Sequence, residues 1–202
     1  VIAPLPASAV PAGAQRLSAH ARGASPGPIR TPRGRHHRRA ADPTDPPSPS
    51  ADIYTAVSNL TYPWGTALGT GGNLVTAEGG ANDEVIMLAA ASGTFFNQKM
   101  TGGSFYDLAG TGHPGYDGDG GAGNGSEIYN PAGVALDANG NLVFSDSTNC
   151  IVRVVANTSG SFYQQQMTAG DIYTIAGTPS PSQLDCAFSG DGGAASLAEL
   201  NE

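Results

Sequence analysis

The residues of this 202-residue chain best suited to chemistry are a few carboxylates set among glycines. Asp117-Gly-Asp119-Gly-Gly121 has an echo downstream in Gly190-Asp191-Gly-Gly193. Hard cations take closely spaced carboxylates, so Asp117 and Asp119 resemble the opening of a calcium loop. The match stops there. Ala122 stands where such a loop needs its turn glycine, no glutamate occupies the twelfth position, and Ser189 replaces the first aspartate in the second occurrence. The competing reading is a turn in which each aspartate bonds to neighbouring backbone amides. No cofactor is expected beyond that possible calcium.

Other candidates are sparser. His113 is the one histidine after residue 50, and a lone loop histidine is expected to be solvated. No Ser/His/Asp set can be assembled from matching positions, so no catalytic residue is nominated. Tyr62 and Trp64 are large aromatics close together, expected to pack between structural units in preference to stacking on a sugar. Cys150 and Cys186 form no Cys-x-x-Cys pair, so zinc is not supported.

The elements that must position these groups are short strands. Asn130 to Val155 contains three: one over 133–137, one over 142–146, and one over 151–156 rich in β-branched residues. Asp137-Ala-Asn139-Gly140 divides the first two, and Asn-Gly supplies the positive φ that a tight hairpin turn needs. A fourth strand is expected over 171–176. No helix of ordinary length fits between them, and the fold class is all-β.

Most of this stretch occurs twice. Residues 62–78 superpose on 130–146 at an offset of 68, and 92–111 superpose on 159–178 at an offset of 67. Gly118-Asp119-Gly-Gly recurs at an offset of 72. Matches spread over the whole period define an internal repeat. The first copy accordingly has strands near 65–69, 73–78, 84–90 and 103–109. A four-stranded meander in tandem predicts the blades of a β-propeller. About two blades are present, 62–111 and 130–178, followed by a linker over 179–202. Asp52-Ile-Tyr-Thr55 matches the outermost strand Asp171-Ile-Tyr-Thr174, as expected of a ring closed by an N-terminal strand. The chain therefore reads as a fragment.

Charge separates two segments. Seven of nine basic residues are arginines before residue 50; from Ala51 onward two basic residues oppose fifteen acidic ones, a formal charge of −13. Phosphate contacts need clustered Lys and Arg, so no nucleic acid is expected on the folded domain, 51–202. Residues 1–50 are rich in Pro, Ala, Ser and Arg, lack hydrophobic periodicity, and are expected to be a disordered tail or leader remnant. Arg33 to Arg39 reads as a solvated charge run. No apolar run reaches the roughly 18 residues of a membrane span.

Asn130-Pro-Ala-Gly-Val-Ala-Leu-Asp-Ala-Asn-Gly-Asn-Leu, Ser145-Asp146 and Asn149 to Val155 resemble an NHL repeat, with Asn149-Cys150-Ile151 at the place of the naming tripeptide. Phe188 to Asn201 is similar to the inter-blade linker of bacterial extracellular NHL proteins and teneurin-like propellers. The first copy departs at Gly69, Glu78 and Ile86, which stand for Asp137, Asp146 and Arg153. The resemblance implies a six-bladed, TolB-like propeller serving as an extracellular binding scaffold, secreted or at the cell surface. Its partner would be a protein, a glycan or a cell-wall ligand. The alternative is a lactonase- or hydrolase-type propeller with an axial metal.

On a propeller, the linkers and the loop between second and third strands share one face. That nominates Asp117, Asp119, Asp146, Asn149 and Asp191 as binding-face residues, with Asp117 and Asp119 the metal candidates. Asp137 and Asp146 are expected to cap turns, and Arg153 to pair with a neighbouring blade's acid. Cys150 and Cys186 fall on the same face and are expected to form a disulfide closing a loop of about 36 residues, worth roughly 3–4 kcal/mol. Two unrelated thiols are the alternative.

Overall fold

The computed structural model describes residues 60–179 and 186–201. The expected disordered tail over 1–50, the strand at Asp52–Thr55 and most of the insertion before Cys186 lie outside the described residues.

Among the described residues, twelve strands build two copies of one pattern. The first sheet contains β1 (Pro63–Leu68), β2 (Leu74–Glu78), β3 (Glu84–Leu88) and β6 (Phe105–Ala109), antiparallel in that spatial order. A small separate hairpin, β4 (Gly93–Phe95) and β5 (Gln98–Met100), interrupts it between third and fourth strands. The second sheet repeats this with β7 (Pro131–Leu136), β8 (Leu142–Asp146), β9 (Ile151–Val155) and β12 (Ile172–Ala176), interrupted by β10 (Gly160–Phe162) and β11 (Gln165–Met167). Both sheets are open meanders, and the all-β class holds for the described residues.

Two local expectations change. The first strand of each sheet begins at Pro63 or Pro131, earlier than 65 and 133, because register shifts between Pro63 and Thr66 and between Pro131 and Val134 let the strand resume pairing after a bulge. The turn after β7 is a three-residue loop closed by the Asp137 amide donating to the Asn141 carbonyl at 3.0 Å. Gly140 alone carries positive φ there (79°), so Asn139 is not needed in the left-handed region.

Alternation along each strand gives a sheet two faces, and these sheets pack head to tail. Val75, Ala77, Val85, Met87 and Leu108 from one face of the first sheet share a core with Leu142, Phe144, Val155 and Ile172 from the opposite face of the second. Side chains of this kind stabilise by roughly 1.5–3 kcal/mol each when fully buried, so this seam dominates the fold's cohesion. The second sheet's equivalents of the first group, Val143, Val154, Tyr173 and Ile175, form a separate, smaller cluster with Ala156, Phe162 and Met167. β1 lies against β7. A Cβ on Gly65 would overlap the Ala132 carbonyl oxygen and meet the Val134 amide nitrogen at 3.0 Å, so β1 and β7 approach backbone to backbone.

Repeated side-chain staples fix each copy. Asn73 Oδ1 accepts the Ala90 amide at 2.9 Å, and its counterpart Asn141 accepts the Asn157 amide at 2.9 Å. Tyr106 and Tyr173 each accept an amide, from Thr101 and Thr168, through their hydroxyls. A disulfide joins Cys150 to Cys186, with Cα atoms 5.6 Å apart.

Candidate functional site

Arg153 is the hub around which the nominated carboxylates gather. Its register opposite Phe144 and Thr174 puts it in the middle of the second sheet, and its side chain is fully buried. A buried guanidinium must be matched by acceptors. Nη2 donates to Asp119 Oδ1 and to the Asp117 carbonyl, both at 2.6 Å, and Nη1 donates to the Glu127 carbonyl at 3.1 Å. Asp146 Oδ2 lies 3.6 Å from Nη1, an ion pair without a hydrogen bond. The Tyr116 ring stacks over the cation at 5.1 Å. Arg153 thus pairs with Asp146 of its own sheet and Asp119 of the linker before it, not with an acid of the neighbouring sheet.

The candidate binding residues divide accordingly. Asp119 also accepts the Thr174 amide through Oδ2 at 3.0 Å, which ties the linker to β12. Asp117 Oδ1 accepts the Glu127 amide at 2.7 Å, closing the linker on itself. Asp146 Oδ1 accepts the Tyr129 amide and the Asn149 side-chain amide, each at 2.8 Å, while Asn149 also donates to the Gly115 carbonyl. Asp146 and Asn149 are buried, Asp117 and Asp119 are exposed despite their bonds, and Asp191 lies exposed on the linker after the second sheet. Asp117 and Asp119 direct their carboxylates to separate partners, and among the described residues no group of three or more His, Cys, Asp or Glu is placed to hold a metal.

Burial pushes the Asp146 carboxyl up to about 6, although the Tyr129 amide, Asn149 and the Arg153 charge pull the other way. Asp137 goes the opposite way. Partial burial raises its pKa, but donors on Asn141, Tyr163 and Asn139 outweigh that and leave the carboxyl below its ordinary range.

The first sheet has the same acid–amide pair. Glu78 accepts from Asn82 and from the Thr61 amide, as Asp146 accepts from Asn149 and from Tyr129. A pair that recurs in both copies at the same loop belongs to the frame of the repeat. Sequence comparison within the chain could have shown this, because Glu78/Asn82 and Asp146/Asn149 occupy matching positions.

What the surface offers at this end is aromatic. Tyr62 and Trp64 are 57% and 62% exposed, and Leu68 further along β1 is 60% exposed. The Tyr62 ring lies over Gly80, and the Trp64 indole nitrogen sits beside Gly79, so both flank the loop between β2 and β3. No protein-family model matches this chain, and no curated protein matches it at a significant level.

Proposed function

We propose that this chain is part of an NHL-type β-propeller that acts outside the cell as a binding scaffold, engaging a protein, glycan or cell-wall ligand through the face that carries Tyr62 and Trp64. The observation that carries this reading is that the nominated acids of the second sheet and its preceding linker are committed to internal bonds while two adjacent aromatics at the same end stand open. Amphipathic rings of this kind supply contact area at low entropic cost and bind both sugars and proteins. Head-to-tail packing of two meanders supports the propeller, since the same step repeated turns about an axis. The disulfide supports an exported location, where such bonds persist.

Trp64 is the chain's one tryptophan, so its fluorescence reports this face alone. Titration with soluble cell-wall glycan fragments and with purified exported proteins is expected to give a saturable change with one of them, lost in Tyr62→Ala. Turnover of a lactone that a chelator abolishes, with no such binding, would contradict the scaffold reading.

A further inference from the structure

The surface around Tyr62 and Trp64 is uncharged, although the domain it belongs to is strongly acidic. From Thr61 to Ala77 the sequence has no charged side chain, and Asn130 to Leu136 has none either, so β1 and the neighbouring β7 are both neutral. The acids that follow β1 in the chain, Glu78, Asp83 and Glu84, are each 7% exposed or less. What a ligand meets here is therefore aromatic, amide and hydroxyl.

Both rings are open to solvent and yet held in place. A Cβ on Gly80 would meet the Tyr62 ring at 2.8 Å, and one on Gly79 would meet the Trp64 indole nitrogen at 3.7 Å and Asn130 Oδ1 at 3.4 Å. The backbone of the β2–β3 loop thus lies against the rings, and the indole sits at the seam with the second copy, where Asn130 leads into β7. Neutral groups surround them. Thr61 Oγ1 accepts from Asn82 Nδ2 at 3.2 Å, while Asn130 Oδ1 accepts the Gly80 amide at 2.8 Å and Nδ2 donates to Thr148 Oγ1 at 2.9 Å. Each of these hydroxyls, used as an acceptor, still has a proton to donate, and the Tyr62 hydroxyl and Trp64 N–H are further donors.

We infer that this seam binds an uncharged glycan. The C–H face of a sugar ring suits the negative face of an aromatic ring, and sugar hydroxyls, each donor and acceptor, match the neutral hydroxyls and amides beside it. Rings already fixed against the loop lose little freedom on binding. An anionic polymer would find no cation here: after residue 50 the basic residues are Lys99, on β5, and Arg153, which is fully buried. A basic protein would be drawn instead to exposed acids such as Asp117 and Asp191 on the linkers. The inference narrows the ligand of the scaffold reading and rests on that reading.

The test applies the full chain to an array of neutral and anionic glycans and titrates the strongest hit by calorimetry. The hit is expected to be neutral, with a Kd that shifts less than about twofold between about 50 and about 500 mM salt, because no ion pair forms for salt to screen. Tyr62→Ala and Trp64→Ala are each expected to weaken binding about tenfold or more, with the circular dichroism of the folded chain unchanged. An anionic hit, tenfold weakening by salt, or a neutral hit that both variants bind as well as wild type would overturn the inference. So would an array without a hit while a purified exported protein still binds in a Trp64-dependent way, a result that leaves the scaffold reading standing. Binding of neither glycan nor protein would remove both.

Discussion

Asp83 and Cys150 occupy the same place in successive sheets, and each clamps the chain that leads onward. Both sit at the start of a third strand with left-handed backbone, φ 41° and 59°. The Asp83 carboxylate accepts the Asn130 amide at 2.7 Å, fixing the approach to β7. Cys150 reaches the following linker covalently, through Cys186. One position thus serves one purpose by two chemistries, polar between the sheets and covalent after them.

The covalent clamp closes 36 residues, for which loop entropy gives roughly 3–4 kcal/mol. Replacing both cysteines by serine is expected to lower the urea midpoint, with a somewhat steeper slope because the unfolded chain without the crosslink exposes more surface. A midpoint that does not move would mean the linker after the second sheet is held by its backbone bonds alone.

The polar clamp separates backbone from hydrogen bond. Asn tolerates the left-handed region and keeps an acceptor for Asn130, so Asp83→Asn is expected to be close to neutral. Asp83→Ala leaves the half-buried Asn130 amide without its acceptor and is expected to cost about 1–2 kcal/mol. Equal losses for the two variants in thermal unfolding would point to backbone strain instead.

Arg153 makes a stronger prediction. Arg153→Met leaves Asp146 buried without its cation and is expected to cost about 3–5 kcal/mol, whereas adding Asp146→Asn recovers a substantial part. The double-mutant cycle in urea reads this coupling directly, and additive losses would show that the two side chains act independently.

Asp146 also sets a pH dependence. Its carboxyl titrates near 6 in the fold against an ordinary 3.8, so the folded chain binds more protons between those values. The stability it contributes is full below about pH 4, falls as pH rises to about 6, and is level above that. Asp83, raised chiefly by burial, acts in the same direction, so the informative quantity is wild type minus Asp146→Asn. That difference is expected to decline from pH 4 to 6 in urea titrations. A rise over the same window would mean that Arg153 dominates and holds the carboxyl low.

The meander order was legible because the repeat shows each strand twice and Gly-rich turns mark its ends. The β4–β5 and β10–β11 hairpins were not. Their two-residue turns are Phe96-Asn97 and Tyr163-Gln164, all four with positive φ (48° to 62°), where a turn of this kind ordinarily announces itself as Asn-Gly. Phe96 is 4% exposed, so packing fixes a conformation that propensity would not choose. The site residues were legible by position but not by role. Asp117, Asp119, Asp146 and Asn149 do lie near one another, but a carboxylate that binds a ligand and one that binds Arg153 have the same letter, and only the register of β9 brings that arginine among them.

β1 and β7 are edge strands of two sheets stacked one on the next. Gly65 and Gly133 hold matching positions in them. A Cβ at Gly65 strikes the backbone of Ala132 and Val134, whereas one at Gly133 meets only Ser145 Oγ at 3.6 Å. The unfolded-state gain of Gly→Ala is common to both and cancels in the comparison. In urea unfolding of the full chain, Gly65→Ala is expected to be less stable than Gly133→Ala by about 1–3 kcal/mol. Equal stability of the two variants, or the reverse order, would contradict the stacked arrangement.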